Sequence, residues 1–388
     1  MGHESLSVET AVTIFDDPWS CVTRSGRYLV AALKHPHRVL STSQVNGGLC
    51  EHVAHLVNHQ SCEGAAHRER LDAIVAMGQA AYHHQVCQEL GLDSQTTATM
   101  GTAANMQYAA TVTAAYEEFS VTAIVTAGVQ GNAGRAGDPS RFVERNRTYE
   151  PVVETQSGTI NTMLLFNAAL SQAALVRAVV TMTEAKTAAL QELAVSSRVS
   201  AELATGTGTD QFTIASPLID PAAITWTGQH AKVGELIGRA VHDATREALR
   251  WQNGLETSLT RSAIYALKRF GFSQAFFERR LRESLTASRY EFYKKNWDAI
   301  LHDPQTAGCA YAIAAVLDRL AYGTLPPACA TELLFNQCCL LATTLAVKPR
   351  AFTDMHQRLQ PHLGKAANEL IFQAILLGWE AKWNSTIS

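Results

Sequence analysis

The segment GTINTMLLFNAALSQAALVRA, residues 158–178, constrains the fold more than any other part of the 388-residue chain. Gly158 and Thr159 open it, an apolar run follows and ends near Asn167, and an alanine-rich stretch with apolar residues at three- and four-residue spacing completes it. The run reads as a buried strand and the stretch after it as an amphipathic helix. A β-branched residue suits the start of a strand, which gives Thr159 a plain structural reading. The chemical reading is a nucleophilic hydroxyl held on a rigid element at the mouth of a buried strand.

The same patterns recur. VTAIVTAG (residues 121–128) and QFTIAS (211–216) read as strands bounded by Gly, Asn or Asp turns. Residues 71–90, 169–195 and 232–252 read as helices, so the first part of the chain is expected to be α+β, with helices packed on β-sheet layers. After Trp251 strand signals fade, and helical runs separated by HDPQTAG and GTLPPA take over. The first turn signal beyond the long helix, Asn253-Gly254, sets an expected division into a catalytic domain, 1–253, and an all-α segment, 254–388. Such a length exceeds what one hydrophobic core usually organises, and an apolar content of 47% is ample for burial.

A net charge of −3 gives no basic field to recruit nucleic acid or an anionic membrane, so small-molecule chemistry is the expectation. The first residues, MGHESLSVETAVTIFDDPW, carry acids and no apolar leader, and no uninterrupted apolar run long enough to span a bilayer is expected, because Asn167, Gln172, Arg177 and Asp318 interrupt the most apolar stretches. A cytoplasmic protein without a membrane partner is therefore expected. Its eight cysteines have no CxxC spacing, which fits reduced, packed thiols.

Four loops combine glycine with small polar residues: LSTSQVNGGLCEH (Asn46, Gly47, Gly48), TAGVQGNAGRAGDP (Asn132, Arg135, Asp138), SGTIN (Thr159, Asn161) and ATGTGTDQ (Thr205, Thr207, Thr209, Asp210). Glycine lets backbone approach a ligand, while Asn, Thr and Asp supply directed hydrogen bonds. Taken in order with TEAKTAALQEL and HAKVGELIGRAV, these motifs closely resemble the adenosylcobinamide amidohydrolase family across about residues 35–250. The resemblance implies hydrolysis of the amide joining aminopropanol to the corrin ring, giving adenosylcobyric acid for corrinoid salvage. The chain has no DxHxxG segment of the kind that holds cobalt through a histidine, so a corrinoid is expected as substrate, with no cofactor. The Gly158-Thr159 segment is also similar to the nucleophile segment of self-processing amidases of the aminopeptidase and ornithine acetyltransferase type. There a Gly-Ser or Ala-Thr bond breaks, and the new terminal residue supplies both hydroxyl and amine base.

Amide hydrolysis needs a nucleophile, a proton acceptor and donors for the oxyanion. No GxSxG elbow or HExxH is present. Thr159 is the candidate nucleophile and Asn161, two residues along the same strand face, its orienting partner. For an intact chain His230, ahead of the helix carrying Glu235, is the candidate base. Glu184 and Lys186 are candidates to polarise the carbonyl, or they simply pair with neighbours. Asn46, Gly47, Gly48, Asn132, Arg135, Asp138, Gly206, Thr207 and Asp210 are candidates for substrate binding, Asp210 by accepting from the corrin's peripheral amides. In a rival reading, His52, His55 and His59 near one helical stripe hold zinc in a metal-dependent amidase. A corrinoid binder that has kept the fold without turnover is the second hypothesis, ahead of that metal-dependent amidase.

The helical segment holds none of the matched loops and is a candidate surface for self-association. A chain truncated after Gly254 is expected to keep turnover; its loss in a truncated protein that is soluble and folded would show that the tail completes the site.

Overall fold

The structure, a computed structural model, describes residues 11–63, 67–140, 142–146, 148–151 and 158–383. The first ten residues and Ser157, which the sequence reading touches, lie outside them. The chain divides into two compact units, Met1–Leu255 and Glu256–Ser388.

In the first unit the strands are β1 (Val12–Asp16), β2 (Ser20–Ser25), β3 (Tyr28–Leu33), β4 (His37–Ser41), β5 (Gly48–Cys50), β6 (His55–Gln60), β7 (Thr97–Thr102), β8 (Ala110–Tyr116) and β9 (Phe119–Ala127). They continue as β10 (Ala133–Gly134), β11 (Phe142–Arg145), β12 (Thr148–Pro151), β13 (Ile160–Phe166), β14 (Gly206–Thr207) and β15 (Gln211–Pro217). The helices are α1 (His67–Met77), α2 (Gln79–Leu90), α3 (Gln172–Glu192) and α4 (Lys232–Asn253). One sheet has the order β1-β2-β3-β6-β7 and the other β5-β4-β15-β13-β9-β8; β10 pairs with β14, and β11 with β12.

Alternation along the strands turns these sheets into layers. Val22, Leu29, Leu56 and Met100 of the first sheet share one buried core with Ile124, Met163, Leu165 and Ala215 of the second, so the sheets pack face to face. Each leucine-sized side chain buried there is worth roughly 1.5–3 kcal/mol. The outer face of the first sheet places Val57 and Val30 against Tyr82 and Val86 of α2. On the other side α4 lies across β8 and β9 and packs beside α3. The result is four layers: helices, sheet, sheet, helices.

All seven residues of β13 are buried, because the strand is interior to its sheet and covered on both faces. β13 and β15 pair in parallel, Asn161 opposite Gln211, which requires a crossover, and α3 supplies it. The starts of both strands therefore lie side by side. α4 ends at Gly254, whose φ of 63° closes the helix in the left-handed conformation that glycine tolerates.

Three strands and two long helices fall where the sequence patterns place them. The third helical pattern, residues 71–90, is instead two helices separated at Gly78, with φ 86°. The histidine stripe also needs correction: residues 55–60 form strand β6 rather than a helix. His55 and His59 are then about 13 Å apart along the strand, too far to share a zinc ion at about 2 Å from each ring. Among the described residues no three His, Cys, Asp or Glu side chains are grouped to hold a metal ion.

The second unit contains only helices among its described residues, from Thr257–Thr260 to Ala367–Trp383. Phe277, Leu281, Tyr293, Phe335 and Phe372 belong to its core, and Arg269 makes two bonds to Asp318, 2.5 and 2.7 Å. The helical stretch Pro327–Leu345 is long and apolar enough to cross a membrane by length and composition, contrary to the expectation of no such run. Its Phe335, Cys338, Cys339, Leu341 and Ala342 lie in this core. All eight cysteines are free.

His59 is buried at 3% exposure between Tyr28 and Tyr82, and its Nε2 lies 2.9 Å from the Tyr82 hydroxyl. Burial, assisted by the Arg27 charge, lowers its pKa to about 4. The fold holds the neutral ring, so this contribution to stability is complete above the unfolded value near 6.5 and falls as pH drops toward 4. Wild type is expected to lose about 2 kcal/mol more unfolding free energy between pH 7 and pH 5 than His59→Phe. Urea titrations of both proteins measure this, and parallel losses would contradict it.

Candidate active site

The site assembles where β13 and β15 begin. Gly158 sits against the 128–132 turn: a Cβ on it would lie 2.9 Å from the Gly128 carbonyl oxygen and 3.0 Å from the Asn132 Cβ, and its φ is 154°. Only glycine fits there. The Gly128 N–H donates to the Thr159 carbonyl (2.9 Å), fixing the backbone on the other side. Thr159 is 4% exposed, and its hydroxyl donates to the Thr209 carbonyl at 2.5 Å, with Asn161 Oδ1 3.4 Å away.

The carbonyl oxygen of Gly158, one peptide bond before Thr159, accepts two side-chain hydrogen bonds. They come from Asn132 Nδ2 at 3.0 Å and Thr209 Oγ1 at 2.8 Å. Two donors converging on a carbonyl next to a hydroxyl form the arrangement that stabilises an oxyanion. Asn132 and Thr209 are also joined, Nδ2 to Oγ1, at 3.3 Å.

Asp210 holds this corner together. Its Oδ1 accepts from the Ile160 N–H (3.0 Å) and the Thr207 hydroxyl (2.6 Å); its Oδ2 accepts from the Thr207 N–H (3.1 Å) and pairs with Lys186. A Cβ on Gly206 would come 2.5 Å from Asp210 Oδ2 and 2.9 Å from Lys186 Nζ, so the TGTGTD glycine gives room to the ion pair. With both oxygens occupied from within the protein, Asp210 positions the loop and strand.

A second ring of bonds supports the loop bearing Asn132. Asp138 Oδ2 accepts from the Arg135 N–H (2.8 Å) and the Ser197 hydroxyl (2.7 Å), and Arg135 pairs with Glu202 at 2.5 Å. Those backbone N–H and hydroxyl donors hold the Asp138 carboxyl below its ordinary pKa against the opposing effect of burial. Paired β10 and β14 join the same two loops. Arg135 and Asp138 thus hold the loop.

Five expected site residues do not join the cluster. His230 is exposed in the turn before α4. The other end of α4, about 33 Å away for 22 residues, is the end near Thr159, because Asn253 Oδ1 accepts from the Val129 N–H. Glu184 accepts from Gln229 at 2.6 Å beside that turn. Asn46 Nδ2 donates to the carbonyls of Ser94 and Thr97, both at 2.8 Å. Asn46 is thereby set apart from the cluster, whose Asn161 and Gln211 donate to the Gly101 carbonyl, each at 3.1 Å, about 13 Å further along β7. Gly47 is confined by the Ser43 carbonyl, 1.8 Å from where its Cβ would be, and Gly48 has φ 73°; both shape the turn into β5.

Thr209, already singled out in the TGTGTD loop, supplies a donor to the Gly158 carbonyl. The sequence reading missed other participants. Asn58, Thr126 and Gln211 sit on strands whose polar residues, pointing between two sheets, were the available signal: Asn58 and Thr126 are 1% exposed. Asp210→Asn, which sets an amide N–H against donors that need an acceptor, is expected to cost about 3 kcal/mol of stability. Denaturant unfolding measures it, and a loss below 1 kcal/mol would show that the carboxylate is free for another task.

The family model for adenosylcobinamide amidohydrolase (CbiZ) matches residues 19–257, more than half the chain. An uncharacterized protein of Methanocaldococcus jannaschii, MJ1613, is 38% identical over 183 residues, which cover 45% of this chain and 71% of the relative. The crystal structure of the PH0078 protein from Pyrococcus horikoshii OT3 aligns with 62% of this chain and 82% of its own, at 11% identity and a TM-score of 0.29. The family match runs from just before β2 through α4, and includes every residue of the cluster around Thr159. The chain belongs to the adenosylcobinamide amidohydrolase family.

Proposed function

We propose that the first unit hydrolyses the amide joining aminopropanol to the corrin ring of adenosylcobinamide, as a cytoplasmic step of corrinoid salvage, with Thr159 as nucleophile. The observation that carries this reading is the Gly158 carbonyl held by Asn132 and Thr209 beside the Thr159 hydroxyl. A substrate amide bound in its place receives the same two donors. Attack by Thr159 Oγ1 then forms an ester to the corrin side chain and expels the aminopropanol nitrogen. Water hydrolyses the ester to adenosylcobyric acid and restores the hydroxyl. The corrinoid enters as substrate and no cofactor is needed.

The base comes from Thr159 itself. Its hydroxyl now bonds amide oxygens, which are too weak as bases, and Lys186 is committed to Asp210. The Thr159 nitrogen becomes an amine once the Gly158–Thr159 bond opens. In that step the hydroxyl oxygen attacks the Gly158 carbonyl carbon, the carbon–nitrogen bond breaks, and the hydroxyl proton passes to nitrogen. Hydrolysis of the resulting ester leaves a Gly158 carboxylate and a free Thr159. An α-amine titrating near pH 8 then takes the hydroxyl proton and hands it to the leaving aminopropanol. Asn132 and Thr209 serve both reactions.

Incubation with adenosylcobinamide, followed by chromatography, is expected to yield adenosylcobyric acid and aminopropanol. Tight corrinoid binding without either product would instead favour the non-catalytic binder. Thr159→Val is expected to bind corrinoid yet lose turnover by about 10³-fold or more, while Thr159→Ser keeps part of it. Wild-type turnover in Thr159→Val would sink the assignment. Intact mass is expected to show fragments 1–158 and 159–388 in wild type and one chain in Thr159→Val; an uncut wild-type chain that turns over would remove the amine as base.

A further inference from the structure

Asn58 lies on β6, in the sheet opposite Thr159, and is 1% exposed. Its Oδ1 accepts from Asn161 Nδ2 at 2.8 Å, and its Nδ2 donates to the Thr126 hydroxyl oxygen at 2.8 Å. Asn161, fully buried, spends its second N–H on the Gly101 carbonyl at 3.1 Å. Both amide hydrogens of Asn161 are therefore taken by fixed acceptors. A side-chain amide with both hydrogens engaged in this way cannot turn over without breaking two buried bonds. Its oxygen must face the other way, and there it meets the Thr159 hydroxyl at 3.4 Å.

We infer that Asn58 is a positioning residue for the Thr159 hydroxyl, acting through Asn161. The relay Thr126, Asn58, Asn161, Thr159 crosses both sheets and fixes each amide by the partner behind it. Asn161 thereby presents an acceptor, never a donor, to Thr159. The hydroxyl hydrogen is held toward Asn161 or the Thr209 carbonyl, and a lone pair on the oxygen stays free for the carbonyl carbon. If Asn161 turned over, its NH₂ would donate to that oxygen and occupy the lone pair that must attack. Apolar residues at position 58 would fill the same space between the sheets, so packing alone does not call for an asparagine.

This inference rests on Thr159 being the nucleophile, and the test separates the two. Steady-state kinetics with adenosylcobinamide are measured for wild type, Thr159→Val, Asn58→Leu, Asn58→Asp and Thr126→Val. Asn58→Leu removes the acceptor behind Asn161 and is expected to lower kcat by about 10²-fold with KM changed less than threefold. Asn58→Asp keeps an acceptor toward Asn161 and takes a hydrogen bond from the Thr126 hydroxyl; it is expected to recover kcat to within tenfold of wild type. Should Asn58→Leu fail to fold, the nearly isosteric Thr126→Val, expected to lower kcat three- to tenfold at constant KM, decides in its place. Wild-type kcat in a folded Asn58→Leu, or in Thr126→Val where that variant decides, overturns the relay while an inactive Thr159→Val leaves the nucleophile standing. Full activity in Thr159→Val overturns both.

Discussion

The Asp210 carboxylate is the interaction on which the rest of the site depends. Burying a carboxylate is costly unless its lone pairs are satisfied, and here three hydrogen bonds and a lysine satisfy them. Those partners come from the start of β13, the TGTGTD loop and α3. One side chain thereby ties together the strand bearing Thr159, the loop bearing Thr209 and the crossover helix between them. A parallel pair leaves the starts of its strands without a hairpin to join them, and Asp210 supplies that connection. Lys186 and Gly206 follow from it as counter-charge and space.

With this corner fixed, the division of the space between the sheets acquires meaning. Leu29, Leu56, Met163 and Leu165 fill its middle, whereas Asn58, Thr126, Asn161 and Gln211 gather near the start of β13. A polar cluster inside a sandwich lowers stability unless each member has partners, and in return it offers oriented dipoles in a medium where they act strongly. The Gly158 carbonyl lies at the edge of that cluster, met by Asn132 and Thr209.

Much of this was legible in the residues. The apolar run 160–166 announced a central strand because only a strand covered on both faces lacks alternation, and the TGTGTD and GTIN loops meet as their shared polar character suggested. Asn132 was found for the same reason. Other features were hidden by physics that a single sequence does not carry. Three histidines spaced three and four apart fit a helix, but residues 55–60 became a strand because they pair with β3 and β7. His230 was the expected base, yet a 22-residue helix separates its end from the site. Asp210 was read as a ligand because sequence shows a carboxylate without showing that its acceptors are filled. Asn58 was invisible because its importance lies wholly in which sheet faces it.

The most direct test of the account is to quench the enzyme in acid during turnover of adenosylcobinamide and measure the mass of the polypeptide carrying Thr159. An added adenosylcobyryl group is expected, mapped by peptide fragmentation to Thr159 and released by hydroxylamine as befits an ester. Turnover with the group attached to another residue, or with no adduct under conditions that slow ester hydrolysis, would contradict it.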